Sequence, residues 1–399
     1  MKRIVIYNPH NELWFGITLK FWLYRRPWVP KYAYVVRQIL KKKGVFYALA
    51  STSCMENGLL QRFAEFLKFK IWAMINGYNP FMCTLLFDSG LVEKNDFLVV
   101  IYIGNFSSFS GEVSSNSLVS YLNKAKGKII LNVNHYPYHP SSGSEAIMSL
   151  RFHYFWAENN LEINSGYFKT YFGKFKKPFI VTPFAVRSKF KYRTSLNLRM
   201  PKAVAVGSVS LKMTQDKDFV EYFGHDNLQP IRNELYGGIP NEFNTIIESH
   251  VSHINEGGAA RPVRNASSLM EAISNLKHNI FNYGQHKYHA LDMCDIFNKY
   301  SIHIVGEEVV GIPGIGFAEG MMCGSVFIGL DDPMYTDLGM VPGMHYLTYD
   351  GTYLSLLDTI REFLKKPETL LKISMAGYAF ACKNFTESSV FESLENQIL

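Results

Sequence analysis

A chain of 399 residues is too long for one ordinary core and suits two domains of about 150–200 residues each. With 47 % apolar and 19 % charged residues it is globular rather than disordered. Its net charge of +7 favours anionic partners such as phosphates, but no single basic stripe or recognisable module marks a nucleic-acid binder. Aromatic residues reach 15 %, with 30 Phe and 24 Tyr, which suits either thick cores or the walls of a sugar-binding cleft. The five cysteines (Cys54, Cys83, Cys294, Cys323, Cys382) are odd in number and lack metal-ligand spacing. They point to a reducing compartment and away from structural zinc.

The opening MKRIVIYNPH enters a strand directly, with no apolar signal region, and no apolar run approaches the roughly 20 residues that span a bilayer. A cytoplasmic protein is expected, at most peripherally attached to the cytoplasmic face of the membrane. Between Lys20 and Lys43, eight basic residues interleave with Phe21, Trp22, Tyr24, Trp28 and Tyr32. This stretch suits an anionic membrane surface, or equally a solvated helix face.

The first half alternates short apolar runs with helical stretches. Strands are predicted at Arg3–Tyr7, Val45–Ala50, Phe97–Ile103, Lys128–Asn132, His153–Ala157 and Phe179–Thr182, with helices over Lys31–Lys43 and Leu60–Met74 between them. Continuous apolar strands that end in polar or Gly punctuation belong to a parallel sheet covered by helices. Residues 183–201 lose this rhythm and read as a linker. A strand at Lys202–Val206 then opens a second alternation, with strands near Ile302–Val305, Val326–Gly329 and Tyr346–Tyr349, and helices near Tyr288–Lys299, Gly316–Cys323 and Tyr353–Lys365. Residues 213–280 are expected to be less regular. The boundaries are 1–185, a linker 186–201, 202–375, and a C-terminal helix 376–399 that packs back on the first domain.

The most informative stretch begins at Asp292. A helix delivers the chain into a strand, and a Gly-rich loop follows at Gly311-Ile312-Pro313-Gly314-Ile315-Gly316. A second helix starts near Phe317 and ends at Cys323-Gly324 before another strand. Glycines let backbone approach a phosphate, and ligands of open parallel sheets bind beyond the carboxyl ends of the strands. Glu319, in the first turn of that helix, is placed to accept hydrogen bonds from ribose hydroxyls.

Phe317-Ala318-Glu319-Gly320-Met321-Met322-Cys323-Gly324-Ser325-Val326-Phe327-Ile328 resembles the nucleotide-binding signature of the GT-B glycosyltransferases. Thr182–Phe190 is similar to the interdomain hinge of that family, and Gly207–Lys212 to the place where its first C-domain strand opens onto donor phosphates. The resemblance implies an α/β fold of two Rossmann-like doubly wound domains facing across a cleft, and a metal-independent transferase. Its substrates would be a nucleotide sugar and an oligosaccharide or lipid-linked acceptor; no nucleic acid and no further cofactor are expected. The nucleotide is expected at Gly207, Ser208, Lys212, Tyr283, Gly284, Gly314, Ile315, Gly316, Phe317 and Glu319. One departure stands out. Many retaining members carry a second Glu eight residues before the ribose-binding one, and Gly311 occupies that position, with Glu307 and Glu308 further upstream.

Sugar transfer needs a carboxylate or His beside the anomeric carbon and positive charge on the leaving phosphate. Candidates at strand ends are Glu158, a possible helix cap as well, and His135. The segment Gly224-His225-Asp226-Asn227-Leu228-Gln229-Pro230-Ile231-Arg232 is dense in functional groups, although a polar turn explains it too. Together with Glu158 it looks similar to the retaining β-Kdo transferases of bacterial surface-polysaccharide assembly. That resemblance implies that Asp226, which the segment itself offers as a nucleophile or base tuned by His225 or Arg232, attacks a CMP-linked donor while Glu158 assists the acceptor. His135, Arg232 and Glu308 would then meet acceptor or sugar. A UDP- or GDP-hexose transferase of the same fold, and a non-catalytic glycan-binding or assembly module, are the other readings. No Asp-x-Asp metal motif lies beside an apolar strand, and no Gly-x-Gly-x-x-Gly follows the first strand, which argues against a dehydrogenase.

Overall fold

The computed structural model describes residues 2–7, 32–50, 58–101, 115–134, 136–137, 140–209, 217–253 and 291–398. The chain forms two units. One comprises Met1–Thr182, Asp216–Gly224 and Val390–Leu399; the other comprises Pro183–Gln215 and His225–Ser389.

The first unit is built on seven strands: β1 (Ile4–Tyr7), β2 (Phe46–Leu49), β3 (Cys83–Leu86), β4 (Phe97–Val100), β5 (Lys128–Asn132), β6 (Tyr154–Ala157) and β7 (Phe179–Val181). Their order is β3-β2-β1-β4-β5-β6-β7, and every pairing is parallel. Helices cover both faces, so β1 (IVIY) and β4 (FLVV) are buried along their whole length. Helix α1 (Ala33–Lys43) ends on Lys41, Lys42 and Lys43, and Gly44 takes the left-handed conformation that closes its last turn. Helix α2 (Gly58–Ile75) rests on the unit through Phe69, Trp72 and Ala73. Many of the aromatics are core. Tyr136, Phe155, Phe168 and Phe172 are buried and meet largely edge-to-face.

Two later segments complete this unit. Helix α3 (Lys217–Phe223) packs Phe219 and Phe223 against Tyr167, and its Asp218 accepts from the Ser141 hydroxyl at 2.6 Å. The end of the helix Glu387–Ile398 is fastened by Gln397, whose side chain bonds both the N–H and the C=O of Val181. Glu395 pairs there with Lys42 and Lys43.

The second unit has five parallel strands in the order β12-β11-β10-β8-β9: β8 (Met200–Val209), β9 (Ile247–His253), β10 (Tyr300–Ile304), β11 (Val326–Leu330) and β12 (Leu347–Tyr349). Successive residues point to opposite faces. Val204, Val206 and Phe327 enter one apolar core, while Ala203, Ala205, Ile302, Ile304 and Ile328 enter the other. Two parallel α/β sheets therefore form as the strand rhythm predicts.

Two differences have physical causes. Residues 213–280 are not irregular where described: they hold α3, helix α4 (Pro230–Gly237) and β9. As an edge strand, β9 carries Glu248, Ser249 and His250 on partly exposed positions, so it lacks an apolar run. Residues 183–201 carry Phe184, Val186 and Phe190 into the core of the second unit. Arg199 is buried there, donating to the carbonyls of Thr194, Phe297 and Cys323.

Candidate functional site

In the second sheet the chain passes from β8 to its neighbour β9 and then returns to β10 on the other side of β8. Connections therefore leave the carboxyl ends of β8 and β10 in opposite directions, the arrangement at which open parallel sheets take their ligands. Arg232, in the first turn of α4, lies at this place and is 8 % exposed. Its Nε donates to Val305 O at 2.6 Å, Nη2 to Gly306 O at 3.1 Å and Nη1 to Ser208 O at 3.4 Å. A guanidinium has five N–H donors, so two lie outside these three bonds.

Glycines make room for this cation. A Cβ added at Gly207 would lie 3.0 Å from Arg232 Cδ, one at Gly306 2.8 Å from Cγ, and one at Gly314 2.7 Å from Nη2. Gly306 also needs its left-handed φ of 68°, which turns the chain sharply out of β10. The sequence therefore spends three glycines, one from β8 and two from the loop after β10, around one arginine.

The loop after β10 sorts its two glutamates into different tasks. Glu307 is buried and accepts from Tyr349 Oη (2.7 Å), Tyr335 Oη (3.1 Å) and the Leu330 N–H (3.1 Å). Burial pushes its carboxyl up, and these three donors oppose that rise. Glu308 opens a tight turn in which the Gly311 N–H donates to its carbonyl at 3.0 Å; its carboxylate accepts from Gln229 Nε2 at 2.9 Å. Gly311 has φ of 80° in that turn. A glycine at the place where many GT-B enzymes carry a second Glu therefore meets a backbone requirement of this loop.

Helix α5 (Met293–Lys299) precedes β10, and helix α6 (Gly316–Met322) follows the loop. In α6 the Phe317 side chain is fully buried against Phe327, Tyr335 and Phe385, so only its backbone remains for a ligand. Glu319 is 7 % exposed, and Arg187 Nη2 lies 3.5 Å from its Oε1. Burial raises its pKa, against the pull of the Arg187 and Lys189 charges. Close by in the fold, Gly320 lies on His303 of β10, whose ring a Cβ would meet at 2.3 Å. Desolvation lowers the His303 pKa to about 3, so this imidazole is neutral filling, with Nε2 3.2 Å from Phe317 O.

The first unit has its own polar cluster at the carboxyl ends of β5 and β6. Glu158 is 3 % exposed, and the Tyr32 hydroxyl donates to its Oε1 at 3.1 Å. Asn132 Nδ2 reaches the same hydroxyl at 3.1 Å, Asn134 Nδ2 also contacts it, and Asn134 Oδ1 accepts from the Glu158 N–H at 3.1 Å. No capping bond from the Glu158 side chain is needed to explain this arrangement: the helix Leu161–Asn164 has its N-cap at Asn160.

Asp226 and His225 are exposed, between α3 and α4. His225 Nδ1 accepts from the Asn227 N–H at 3.1 Å, and Asn227 Oδ1 accepts from the Gln229 N–H at 3.1 Å, which is the geometry of a polar turn. Lys212, Tyr283, Gly284 and His135 lie outside the described residues. Gly207, Ser208, Gly314 and Arg232 come together, joined by Gly306, which the sequence reading missed; Ile315 and Gly316 continue the same loop, and Gly316 faces Val305. Arg187 was missed as well, because its partner Glu319 is remote in sequence. Among the described residues no group of three or more His, Cys, Asp or Glu side chains is placed to hold a metal ion. No helix among them is long and apolar enough to cross a membrane.

No protein-family model matches the chain, and no curated protein matches it in sequence. Solved structures resemble it over nearly the full length. Sucrose-phosphate synthase from Thermosynechococcus elongatus shares 10 % identity, over 100 % of this chain and 98 % of that one, with a TM-score of 0.48. Anabaena HepE in complex with UDP and glucose shares 9 % over 99 % of each chain, with a TM-score of 0.49. A glycosyltransferase from Rickettsia africae shares 9 % over 100 % and 98 %, with a TM-score of 0.46. Likenesses this remote carry no argument about what the present chain binds, and its own residues have to supply one.

Proposed function

We propose that the chain is a metal-independent glycosyltransferase of the GT-B kind, taking its sugar from a nucleotide donor seated at the carboxyl edge of the second sheet. The observation that carries this reading is the Arg232 cradle between β8 and β10. A guanidinium held at a switch point, with two N–H donors beyond its three carbonyl bonds, suits a phosphate that gains negative charge as the sugar leaves. Glu319, kept beside Arg187, supplies the acceptor for ribose hydroxyls.

For the donor we favour CMP-Kdo, transferred with retention to a bacterial surface-glycan or lipid-linked acceptor in the cytoplasm. Gly311 leaves the loop without the second glutamate of many hexose enzymes. In this scheme Asp226 attacks the anomeric carbon and the nucleotide phosphate departs. An acceptor hydroxyl then displaces the Asp226 carboxylate and gives its proton to Glu158. One observation favours a UDP- or GDP-hexose instead: the Glu308 carboxylate, held by Gln229 three residues before Arg232, offers an acceptor for sugar hydroxyls.

Calorimetric titration of CMP, UDP and GDP into the wild type and Arg232→Gln tests the proposal. Binding of one nucleotide, weakened at least about tenfold by the substitution, supports it, and the identity of that nucleotide decides between the two donors. A chain that binds none of the three, or an Arg232→Gln variant that binds as well as wild type, contradicts it. A chain that binds nucleotide but loses no glycan synthesis on Asp226→Ala and Glu158→Ala substitution is a non-catalytic module.

A further inference from the structure

Among the described residues nothing covers the apolar side of helix α2. Leu59, Leu60, Phe63, Leu67 and Met74 are all exposed, Leu60 at 86 % and Phe63 at 60 %. At 100° per residue they fall, with the partly exposed Phe66 and Ile71, in one stripe about 140° wide. Of the residues that anchor the helix to the first unit, Trp72 lies opposite the stripe, Phe69 to one side of it and Ala73 at the stripe's edge, all towards the C-terminal end. Lys70 donates to Pro80 O and Cys83 O, both at 2.6 Å, and so ties the helix to the turn Pro80–Met82. Phe81, 89 % exposed, therefore stands beside the stripe in a fixed place.

Soluble monomers rarely expose a continuous apolar face of this size without using it. The charge around it points to the occupant. No carboxylate interrupts the stripe, and Lys70, which falls within it, is turned onto the Pro80 and Cys83 carbonyls; Arg62 flanks one side and Lys68 the other, against the single acid Glu65, which pairs with Lys68. Basic flanks beside a face of Leu and Phe suit an interface with acyl chains below and anionic headgroups at the sides. A second copy of this chain would set one basic-flanked stripe against another.

We propose that α2 and the Pro80–Met82 turn form a membrane-docking surface that inserts into the headgroup region of an anionic bilayer. The inference does not rest on the transferase reading, since vesicle binding is measured without catalysis.

The test is flotation of the full chain with phosphatidylcholine vesicles containing about a third phosphatidylglycerol, and with phosphatidylcholine alone. Wild type is expected to float with the anionic vesicles, at least about tenfold more than with the neutral ones. Phe63→Ser/Leu67→Ser should lose at least about tenfold of that binding while its circular dichroism and melting temperature stay those of wild type. Should the double variant fail to fold, Leu60→Asp, near the free end of the helix, takes its place. The proposal is overturned by a wild type that stays at the bottom of the gradient, or by variants that float as well as wild type. It is also overturned if light scattering finds a wild-type dimer that the substitutions convert to monomer.

Discussion

Gly314→Ala probes the Arg232 cradle without touching a charged group. The added Cβ would lie 2.7 Å from Arg232 Nη2 and 2.7 Å from Val305 Cγ1, whereas comfortable carbon contacts begin near about 3.5 Å. Something has to move by several tenths of an ångström. Arg232 is held by Nε on Val305 O at 2.6 Å and Nη2 on Gly306 O at 3.1 Å, so any retreat stretches charge-assisted bonds worth about 1.5–3 kcal/mol each. Overpacking of this size costs about 1–3 kcal/mol of stability. Loss of one such bond's worth from nucleotide binding lowers affinity about tenfold to a hundredfold. Gly237→Ala, at the far end of the helix that carries Arg232, is the control, because its Cβ would meet nothing within 4 Å and should leave nucleotide affinity within about threefold of wild type. Urea unfolding and calorimetry on the two variants give both numbers. Equal nucleotide affinity for Gly314→Ala and wild type would refute the role given to Arg232.

Glu319→Gln should raise the urea midpoint at neutral pH while weakening nucleotide binding, since burial raises the Glu319 pKa and ionisation in the fold is costly. A carboxyl whose folded pKa is raised adds stability as pH falls towards its unfolded value near 4.5, so the advantage of Gln should shrink over that window. His303 gives the opposite slope: lowered to about 3 from 6.5, it loses stability as pH falls from 6.5 towards 3, by at most about 1.4 kcal/mol per pH unit. The difference between wild-type and His303→Leu unfolding curves across that range should show this slope, and parallel curves count against a neutral buried imidazole. Glu158→Gln should lower turnover at least about a hundredfold with nucleotide affinity unchanged; a matching loss of affinity contradicts an acceptor-side role.

Strand rhythm was readable wherever both faces of a strand are buried, as in β1, β4 and β10. It failed where that condition lapses. β9 lies at a sheet edge and is mostly polar (IESHVSH); β3 is four residues long and follows a proline turn, so CTLL did not stand out. The loop after β10 stood out in the sequence because its glycines and Glu319 are close together. The role of Arg232 did not: its carbonyl partners Val305 and Gly306 are 73 and 74 residues away, and nothing local marks a helix-start arginine as theirs. Separations of 23, 28 and 42 residues likewise hid the assignment of Glu307, whose three donors come from β11, the helix Pro333–Thr336 and β12.

The most direct test of the account is a donor screen on the purified chain. CMP-, UDP- and GDP-sugars are supplied with candidate glycan acceptors, and products are read by mass spectrometry. The account predicts that one class of donor is consumed, with the nucleotide released and the acceptor heavier by one sugar, and that Arg232→Gln abolishes this. Consumption of no donor by a chain that also fails to bind nucleotide contradicts it.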